Sequence, residues 1–200
     1  MYIPKAFNVE EMSEVVSFIN NHSFGILVTV QEGRPVATHI PLMIHQQGDD
    51  YYLTGHLANQ NEQVNQLEEN VMVIFQGPHA YVSSSWYDHE NVSTWNYEAV
   101  HIYGKSRMLS QEELQGDLTA LLDHYEKGRP DGKTWDKLSE SSKKQINGIT
   151  GFEIKIEEVQ AAYKMSQNRN ARDYEQIITE LEKNQESITT AEEMKRLREK

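Results

Sequence analysis

The sequence predicts an α+β barrel in which antiparallel strands are interspersed with helices. Short apolar and β-branched runs, such as VMVIF at 71–75, are typical of buried strands. Turn signals such as Gln31-Glu32-Gly33 separate the first three of these runs from one another. Their order along the chain predicts a meander. Apolar residues at helical spacing and capping-box pairs occur between the groups of strands. Together these patterns favour a barrel with flanking helices over an all-helical or a repeat architecture.

The first third of the chain predicts one helix and three strands. The predicted elements are, in order, a helix N-capped by Asn8, a strand at 24–30, a strand at 34–44 that contains Pro41, and a strand at 51–55. Because only short turns separate the three strands, we expect them to pair as an antiparallel meander.

The rest of the chain predicts strands and helices in alternation, ending in a helical tail. Ser110 and Glu113 have capping-box spacing, and Phe152, Ile154 and Ile156 alternate with charged residues, as in a half-exposed strand. The predicted elements are a short polar helix at 58–70, strands at 71–75 and 99–109, a helix at 110–125, a strand at 152–165 and a tail at 170–200. We therefore predict a barrel domain at residues 1–169 and a C-terminal helical extension at 170–200.

Composition excludes several classes of function. The 200 residues include 31 acidic and 19 basic side chains, for a net charge of −12, and no basic cluster of the kind that binds phosphate backbones. We therefore do not expect direct DNA binding. There is no cysteine, which excludes disulfides and thiolate chemistry. Since the sequence shows neither a signal peptide nor a membrane span, we expect a cytoplasmic protein with no membrane partner.

Motifs for catalysis and for metal binding are absent from the sequence. No Ser/His/Asp order, paired-carboxylate pattern or P-loop occurs, so the catalytic residues, if any, are unknown. The eight histidines include His39, His56, His79 and His101. None has a partner at the tight spacing of metal ligands, and each is as well suited to satisfying a buried backbone group as to touching a ligand. We predict no metal site.

Five ordered motifs carry a family resemblance. They are THIPL (38–42), LTGHLANQN (53–61), VIFQGPHAYVSSSWY (73–87), STWNYEAVHIYG (93–104) and KMSQNR (164–169). The set resembles the PaiB-type family, described as FMN-binding negative transcriptional regulators of protease synthesis and sporulation. One departure is Ser84, where the family commonly has proline, which changes the stiffness of the loop more than its chemistry.

The resemblance implies a split β-barrel of the FMN-binding type, related to pyridoxamine-phosphate oxidases and flavin reductases. Such barrels usually form homodimers with flavin at the subunit interface, so the implied partners are FMN and a second copy of the chain. The resemblance also implies a set of cofactor-binding positions. They are Thr54, Gly55, His56 and a helix start ending at Asn61 for the phosphate, Lys164 and Arg169 for charge, Thr38, His39 and Ile40 at the ring edge, and Trp95, Asn96 and Tyr97 for stacking and amide recognition.

Two further motif residues, Gln76 and Gln167, complete the implied FMN-binding set. Gln167 belongs to a polar tetrad at 166–169 that either caps the following helix or reaches a ligand. Trp95, taken alone, is equally suited to a core or to a dimer interface.

Three functions remain open at this stage. The first is an FMN-binding regulator that senses a ligand or a redox state, acting through a protein partner or a small effector. The second is an enzyme of the same barrel class, either a flavin reductase or oxidase or a haem-handling protein. The third is a protein–protein adaptor whose barrel holds no cofactor.

Overall fold

The computed structural model describes residues 1–198, which form five α-helices and seven β-strands. The helices are α1 (Met12–Asn21), α2 (Gln111–Glu126), α3 (Glu140–Lys143), α4 (Ala171–Leu181) and α5 (Ile188–Arg198). The strands are β1 (Phe24–Gln31), β2 (Arg34–Pro41), β3 (Met43–Gln47), β4 (Asp50–Ala58), β5 (Asn70–Val82), β6 (Thr94–Met108) and β7 (Ile149–Lys164). The last two residues of the predicted tail, Glu199 and Lys200, lie outside the described range. No helix within it is both long enough and apolar enough to cross a membrane.

The strands form one sheet in the order β2-β1-β5-β6-β7-β4-β3. The β1–β2, β1–β5, β3–β4 and β4–β7 pairs are antiparallel. This is the predicted α+β split β-barrel class with flanking helices, and the prediction of the fold class is confirmed.

The predicted meander is wrong. Residues 34–44 divide into β2 and β3, which lie at opposite ends of the sheet order. Pro41 ends β2 because its nitrogen has no proton to donate to a strand ladder. The next residue, Leu42, is buried and donates its backbone N–H to the Ser23 carbonyl at 2.9 Å. The chain therefore forms two separate hairpins, β1–β2 and β3–β4, in place of three consecutive paired strands.

The chain forms two compact units. The first unit contains residues 1–22, 75–101 and the chain from 160 onward, and the second unit contains residues 23–74 and 102–159. Strands β5, β6 and β7 contribute residues to both. The predicted boundary after residue 169 stays a prediction.

In the second unit, apolar side chains from the strands form the core. Leu27, Leu53, Val73, Ile102 and Ile154 are fully buried. Helix α2 begins with the predicted capping box: the Ser110 hydroxyl accepts the Glu113 N–H at 3.3 Å, and the Glu113 carboxylate accepts the Ser110 N–H at 2.7 Å.

The short polar helix predicted at 58–70 does not form in the second unit. Strand β4 continues to Ala58, and a single 3₁₀ helix at Glu62–Gln66 follows, with Asn61 as its N-cap.

In the first unit, helices α4 and α5 pack with residues of β5 and the end of β7. The core cluster consists of Ala80, Val82, Tyr87, Met165, Tyr174, Ile177, Ile178, Leu181, Ala191 and Met194. The Asn170 side chain caps α4 by accepting the Asp173 N–H at 2.9 Å. The predicted N-cap Asn8 is wrong: α1 begins at Met12 after Glu11, and Asn8 forms an isolated bridge with Ala162.

Gly104 of β6 lies very close to the β7 backbone in the second unit, and this close approach predicts an effect on stability. A Cβ at this position would lie 2.0 Å from the Lys155 carbonyl oxygen, which belongs to β7 and cannot rotate away. We expect Gly104→Ala to lower the free energy of unfolding by at least about 3 kcal/mol, measured by urea titration. Gly116→Ala in α2 is the matched control, since a Cβ there meets nothing within 4 Å. It should raise stability by about 0.5–1 kcal/mol. Equal effects of the two substitutions would contradict the close approach.

Candidate functional site

Thr38 and Asn61 of the predicted flavin site form a hydrogen-bonded cluster in the second unit. The Asn61 amide donates to the Thr38 hydroxyl at 3.0 Å, and that hydroxyl donates to the Gln63 side-chain oxygen. The Gln63 amide in turn donates to the Thr29 hydroxyl at 3.0 Å and to the Val36 carbonyl at 3.2 Å. Gln63 was not predicted, because nothing local marks a residue whose partners lie more than twenty positions away. Its fully buried amide ties the 3₁₀ segment to the β1–β2 hairpin.

His39 and Ile40 lie side by side on β2 but face different surroundings. The His39 ring is exposed and stacks on Phe24, with 6.2 Å between ring centroids. Ile40 is buried and lies opposite Gly25 of β1. Strand β2 is terminal in the sheet order, so alternate backbone groups on its outer side have no strand partner within residues 1–198. The strand offers a ligand its backbone edge and the His39 ring.

Thr54, Gly55 and His56 lie on β4, where they supply no positive charge. The Thr54 hydroxyl donates to the Asp117 carboxyl group of α2. Burial lowers the pKa of the His56 imidazole, and the nearby Asp117 opposes this shift only in part. Burial also raises the pKa of Asp117. Because His56 is neutral at pH 7 and lies near a carboxyl group, this segment is a poor phosphate-binding site by itself.

Gly55 is enclosed by its neighbours in the second unit. A Cβ here would lie 2.8 Å from the Leu42 side chain and 3.2 Å from the Phe152 ring. Gly55 pairs with Phe152 in the β4–β7 ladder. The glycine is explained by this packing alone.

Lys164 and Arg169 form the most basic feature of the predicted set, in the first unit. The Lys164 ammonium group donates to the Trp95 carbonyl at 2.8 Å and to the Thr94 hydroxyl. Burial, and after it the charge of Arg169, lower the pKa of Lys164. The Arg169 guanidinium lies 4.8 Å from the centroid of the Tyr87 ring. Among the described residues neither cation forms an ion pair.

A cavity of about 330 Å³ lies beside Arg169 in the first unit. It is lined by Gln167, Arg169, Ala171, Tyr174, Leu197 and Arg198. Arg198 was not predicted as a site residue, because its position in the tail gave no signal. It pairs with Glu175 and lies over the Tyr174 ring, so among the lining residues that the structure describes, Arg169 is the one cation without an ion pair.

Gln167 and Ser166 shape the turn between β7 and α4. The Gln167 side chain accepts the Met165 N–H at 2.7 Å and donates to the Tyr163 carbonyl. Ser166 has a φ of +61°, in the left-handed region, and its hydroxyl donates to the Asn96 side chain at 2.9 Å. Helix α4 itself is capped by Asn170, so these two residues fix the turn that carries Arg169.

Trp95, on β6, is the exposed aromatic residue of the predicted set. It is 54% exposed and makes ring contacts with Tyr81 at 5.9 Å and with His79 at 6.3 Å. The adjacent groove, about 430 Å³ in volume, is lined by His79, Ala80, Tyr81, Trp86, Trp95, Glu180, Leu181, Asn184, Glu186 and Ser187. The Trp95 ring meets Tyr81 edge to face and His79 at a tilt, and the Lys164 ammonium group binds the Trp95 carbonyl.

The remaining predicted residues differ in exposure. Asn96 is fully buried, with its amide 3.3 Å from the Met194 sulfur. Tyr97 is half-buried, and Gln76 is exposed, with its side chain 3.1 Å from His79. The predicted site residues thus form two groups, one in each unit, and Asn96 belongs to the packing of the first unit.

The strand order is that of a split-barrel protein. The chain belongs to the family described as "Putative FMN-binding domain", which matches residues 1–158. It is 52% identical over 185 residues to "Protease synthase and sporulation protein PAI 2" of Bacillus subtilis, covering 91% of this chain and 89% of that protein. An uncharacterized protein of Saccharomyces cerevisiae is 31% identical over 160 residues, covering 66% of this chain and 95% of that one.

Two solved structures share the fold at low sequence identity. The FAD and haem binding protein from Mycobacterium smegmatis has a TM-score of 0.63 and 17% identity, with 84% of this chain and 78% of that chain covered. The flavocytochrome Anf3 from Azotobacter vinelandii has a TM-score of 0.64 and 14% identity, with 87% and 78% covered. These likenesses confirm the fold class.

The lowered pKa of His56 predicts how stability depends on pH. The unfolded chain protonates this residue below about pH 6.5, whereas the folded chain keeps it neutral to lower pH, so wild-type stability falls as the pH drops through this range. We expect His56→Gln to lose less stability than wild type between pH 7.5 and pH 5.5, by urea titration at each pH. Asp117 is present in both proteins, so its titration largely cancels in the comparison. An equal loss of stability in both proteins would show that the burial of His56 does not cause the pH dependence.

Proposed function

We propose that the chain binds FMN in the first unit and acts as a regulator that senses a ligand or a redox state. One observation carries the proposal: neither Lys164 nor Arg169 forms an ion pair among residues 1–198, and the Lys164 ammonium group binds the carbonyl of Trp95, an exposed tryptophan. The protein has 31 acidic and 19 basic residues, and within it the charge of Arg169 acts on Lys164 and contributes to the lowered pKa of this lysine. Their mutual repulsion is relieved by an anion, and the phosphate of FMN is such an anion.

The chemistry of these residues fits the phosphate end of FMN. Arg169 presents a planar guanidinium group that can bind two phosphate oxygens, and its contact with the Tyr87 ring orients it. Lys164 is a mobile point charge whose present acceptors, the Trp95 carbonyl and the Thr94 hydroxyl, are neutral. The cavity beside Arg169, about 330 Å³ in volume, leaves room for an anionic group.

The ring of the flavin needs an apolar surface to lie on, and in this proposal the exposed Trp95 ring of the groove supplies it. Trp95 and Tyr81 meet edge to face and expose about half of their surface. Bound FMN would supply redox chemistry from its own ring. The protein's part is to hold the ring on Trp95 and the phosphate on Arg169.

The predicted residues of the second unit have a role in this proposal too. They would contact the edge of the flavin ring that is bound to another copy of the chain. We propose a homodimer, because exposed rings occur in both units and apolar surface of this kind is commonly covered by a partner. The exposed rings are Trp95 and Tyr81 in the first unit and Phe24 in the second. His39 and the free edge of β2 would then meet the flavin of the other copy.

Regulation, in this proposal, acts through a small effector or a protein partner and not through operator binding by this chain. Its net charge of −12 opposes contact with DNA phosphates. The name of the Bacillus subtilis relative, a protease synthase and sporulation protein, supports a regulatory role of that kind. We propose a cytoplasmic location, because control of protease synthesis takes place there.

The phosphate site predicts a difference between FMN and riboflavin. A charge-assisted hydrogen bond contributes about 1.5–3 kcal/mol, so Arg169→Gln should weaken FMN binding by about tenfold or more, measured by flavin fluorescence titration. Riboflavin, which lacks the phosphate, should bind with little change. Arg129→Gln is the control, since this exposed arginine follows α2 in the second unit.

Light scattering on the same samples reports whether FMN is bound by a dimer. Equal losses for both ligands would assign Arg169 a structural role.

Indirect regulation predicts weak and unspecific contact with DNA. We expect the protein to bind a candidate promoter fragment and a scrambled fragment equally weakly, with or without FMN. The measurement is an anisotropy titration at about 0.15 M salt, where charge contacts are not exaggerated. Sequence-specific binding in the nanomolar range, typical of operators, would contradict the indirect route.

A further inference from the structure

The loop after β5 and the first turn of α4 bring together three side chains that the proposed flavin site does not use. Asp88, His89 and Asp173 each direct one ligand-type atom into a group whose members all lie within 4.8 Å of one another. Asp173 lies 85 positions after Asp88, so no spacing in the sequence marks the group. All three residues belong to the first unit.

The distances within this group match those between neighbouring ligands of a metal ion. A carboxylate oxygen of Asp88 lies 2.9 Å from Nδ1 of His89, and a carboxylate oxygen of Asp173 lies 3.5 Å from the same nitrogen. For metal–ligand bonds of about 2.1 Å, neighbouring ligands are separated by about 3.0 Å in an octahedral shell and about 3.4 Å in a tetrahedral one. Two of the three separations lie near these values, and the third, between the carboxylates of Asp88 and Asp173, is within 4.8 Å. Movement of the exposed Asp88 and His89 side chains would bring all three atoms around one ion.

Asp173 is held in place by one hydrogen bond to each of its carboxylate oxygens, and a carboxylate oxygen has a second lone pair for an ion. It is 1% exposed, and its carboxylate accepts the Asp88 backbone N–H at 3.1 Å and the Asn170 amide at 2.8 Å. Its position in the first turn of α4 fixes its backbone. By contrast, Asp88 and His89 are exposed and lie in a loop. A fixed buried carboxylate with two adjustable exposed ligands is a suitable arrangement for capturing an ion from solvent.

The charges around the group identify what competes with an ion. The Arg172 guanidinium lies 3.4 Å from Asp88, but it is 81% exposed and can move into solvent. The Asn91 amide lies 3.3 Å from Nε2 of His89 and restrains the ring. Two carboxylates carry a charge of −2. A divalent cation balances this charge, whereas the single, mobile guanidinium group of Arg172 does not.

We propose that Asp88, His89 and Asp173 form a binding site for a divalent first-row transition-metal ion. One nitrogen and two carboxylate oxygens suit Zn²⁺ and Mn²⁺, whereas Mg²⁺ rarely takes an imidazole ligand. Water completes the shell, because Asp88 and His89 face solvent. The site is separate from the FMN proposal, so either one can fail without the other.

The test is calorimetric titration of the full chain with ZnCl₂ and with MnCl₂ at pH 7.5, with MgCl₂ for comparison. We expect one tight ion per chain, with Zn²⁺ bound more tightly than Mn²⁺ and Mg²⁺ bound far more weakly. His89→Gln and Asp88→Asn should each weaken Zn²⁺ binding by about tenfold or more, by analogy with the loss of a supporting ligand contact. Glu90→Gln, which changes the adjacent exposed carboxylate outside the group, should leave binding unchanged.

Arg172→Gln separates a metal site from a purely structural group. Removing the competing guanidinium should tighten Zn²⁺ binding several-fold, although the same substitution removes an ion pair. All variants change exposed side chains, and their circular dichroism and melting temperature without metal verify the fold. The proposal is overturned if wild type binds no ion tightly, if His89→Gln binds as tightly as wild type, or if Arg172→Gln weakens binding.

Discussion

The close pairing of β6 with β7 is the constraint on which the rest of the structure depends. At Gly104 the β7 backbone comes so near that no side chain fits. In the first unit, the Lys164 side chain of β7 donates to the backbone carbonyl of Trp95 on β6. A shift of one residue would separate this lysine from the tryptophan and turn the side chains to the opposite face. The register of two strands thus determines where the proposed flavin contacts lie.

The sequence predicted the features that involve neighbouring residues, but not the contacts between residues far apart in the chain. The capping box of Ser110 and Glu113 and the alternation through Phe152 and Ile154 involve near neighbours, and the structure shows both. The meander failed because turn signals identify consecutive strands without showing which distant strands pair beside them. Gln63 and Asp117 are held by partners 25 and 63 positions away, so no local pattern marked them.

Family membership and the candidate site rest on different parts of the chain. The family match ends at residue 158, before Lys164 and Arg169, whereas the Bacillus subtilis relative is similar over 91% of the chain. The match itself therefore does not include the two cations proposed to hold phosphate. The motif at 164–169 had suggested them, and the structure adds that neither forms an ion pair in the described residues and that the charge of Arg169 acts on Lys164. The side chain of Asn96, in contrast, is buried, where it accepts the Ser166 hydroxyl and contacts the Met194 sulfur.

The two unpaired cations have a kinetic consequence in a chain of net charge −12. At a distance, an anionic ligand meets the repulsive field of the whole protein, and only close to Lys164 and Arg169 does the force become attractive. Salt screens the distant repulsion over a Debye length of about 10 Å at 0.1 M, but it weakens a partly buried contact much less. If FMN binds there as proposed, moderate ionic strength therefore speeds its arrival while hardly changing how long it stays. The association rate of an anion with a positive site usually falls as salt is added. Here it would rise, because the positive site is local and the protein as a whole is negative.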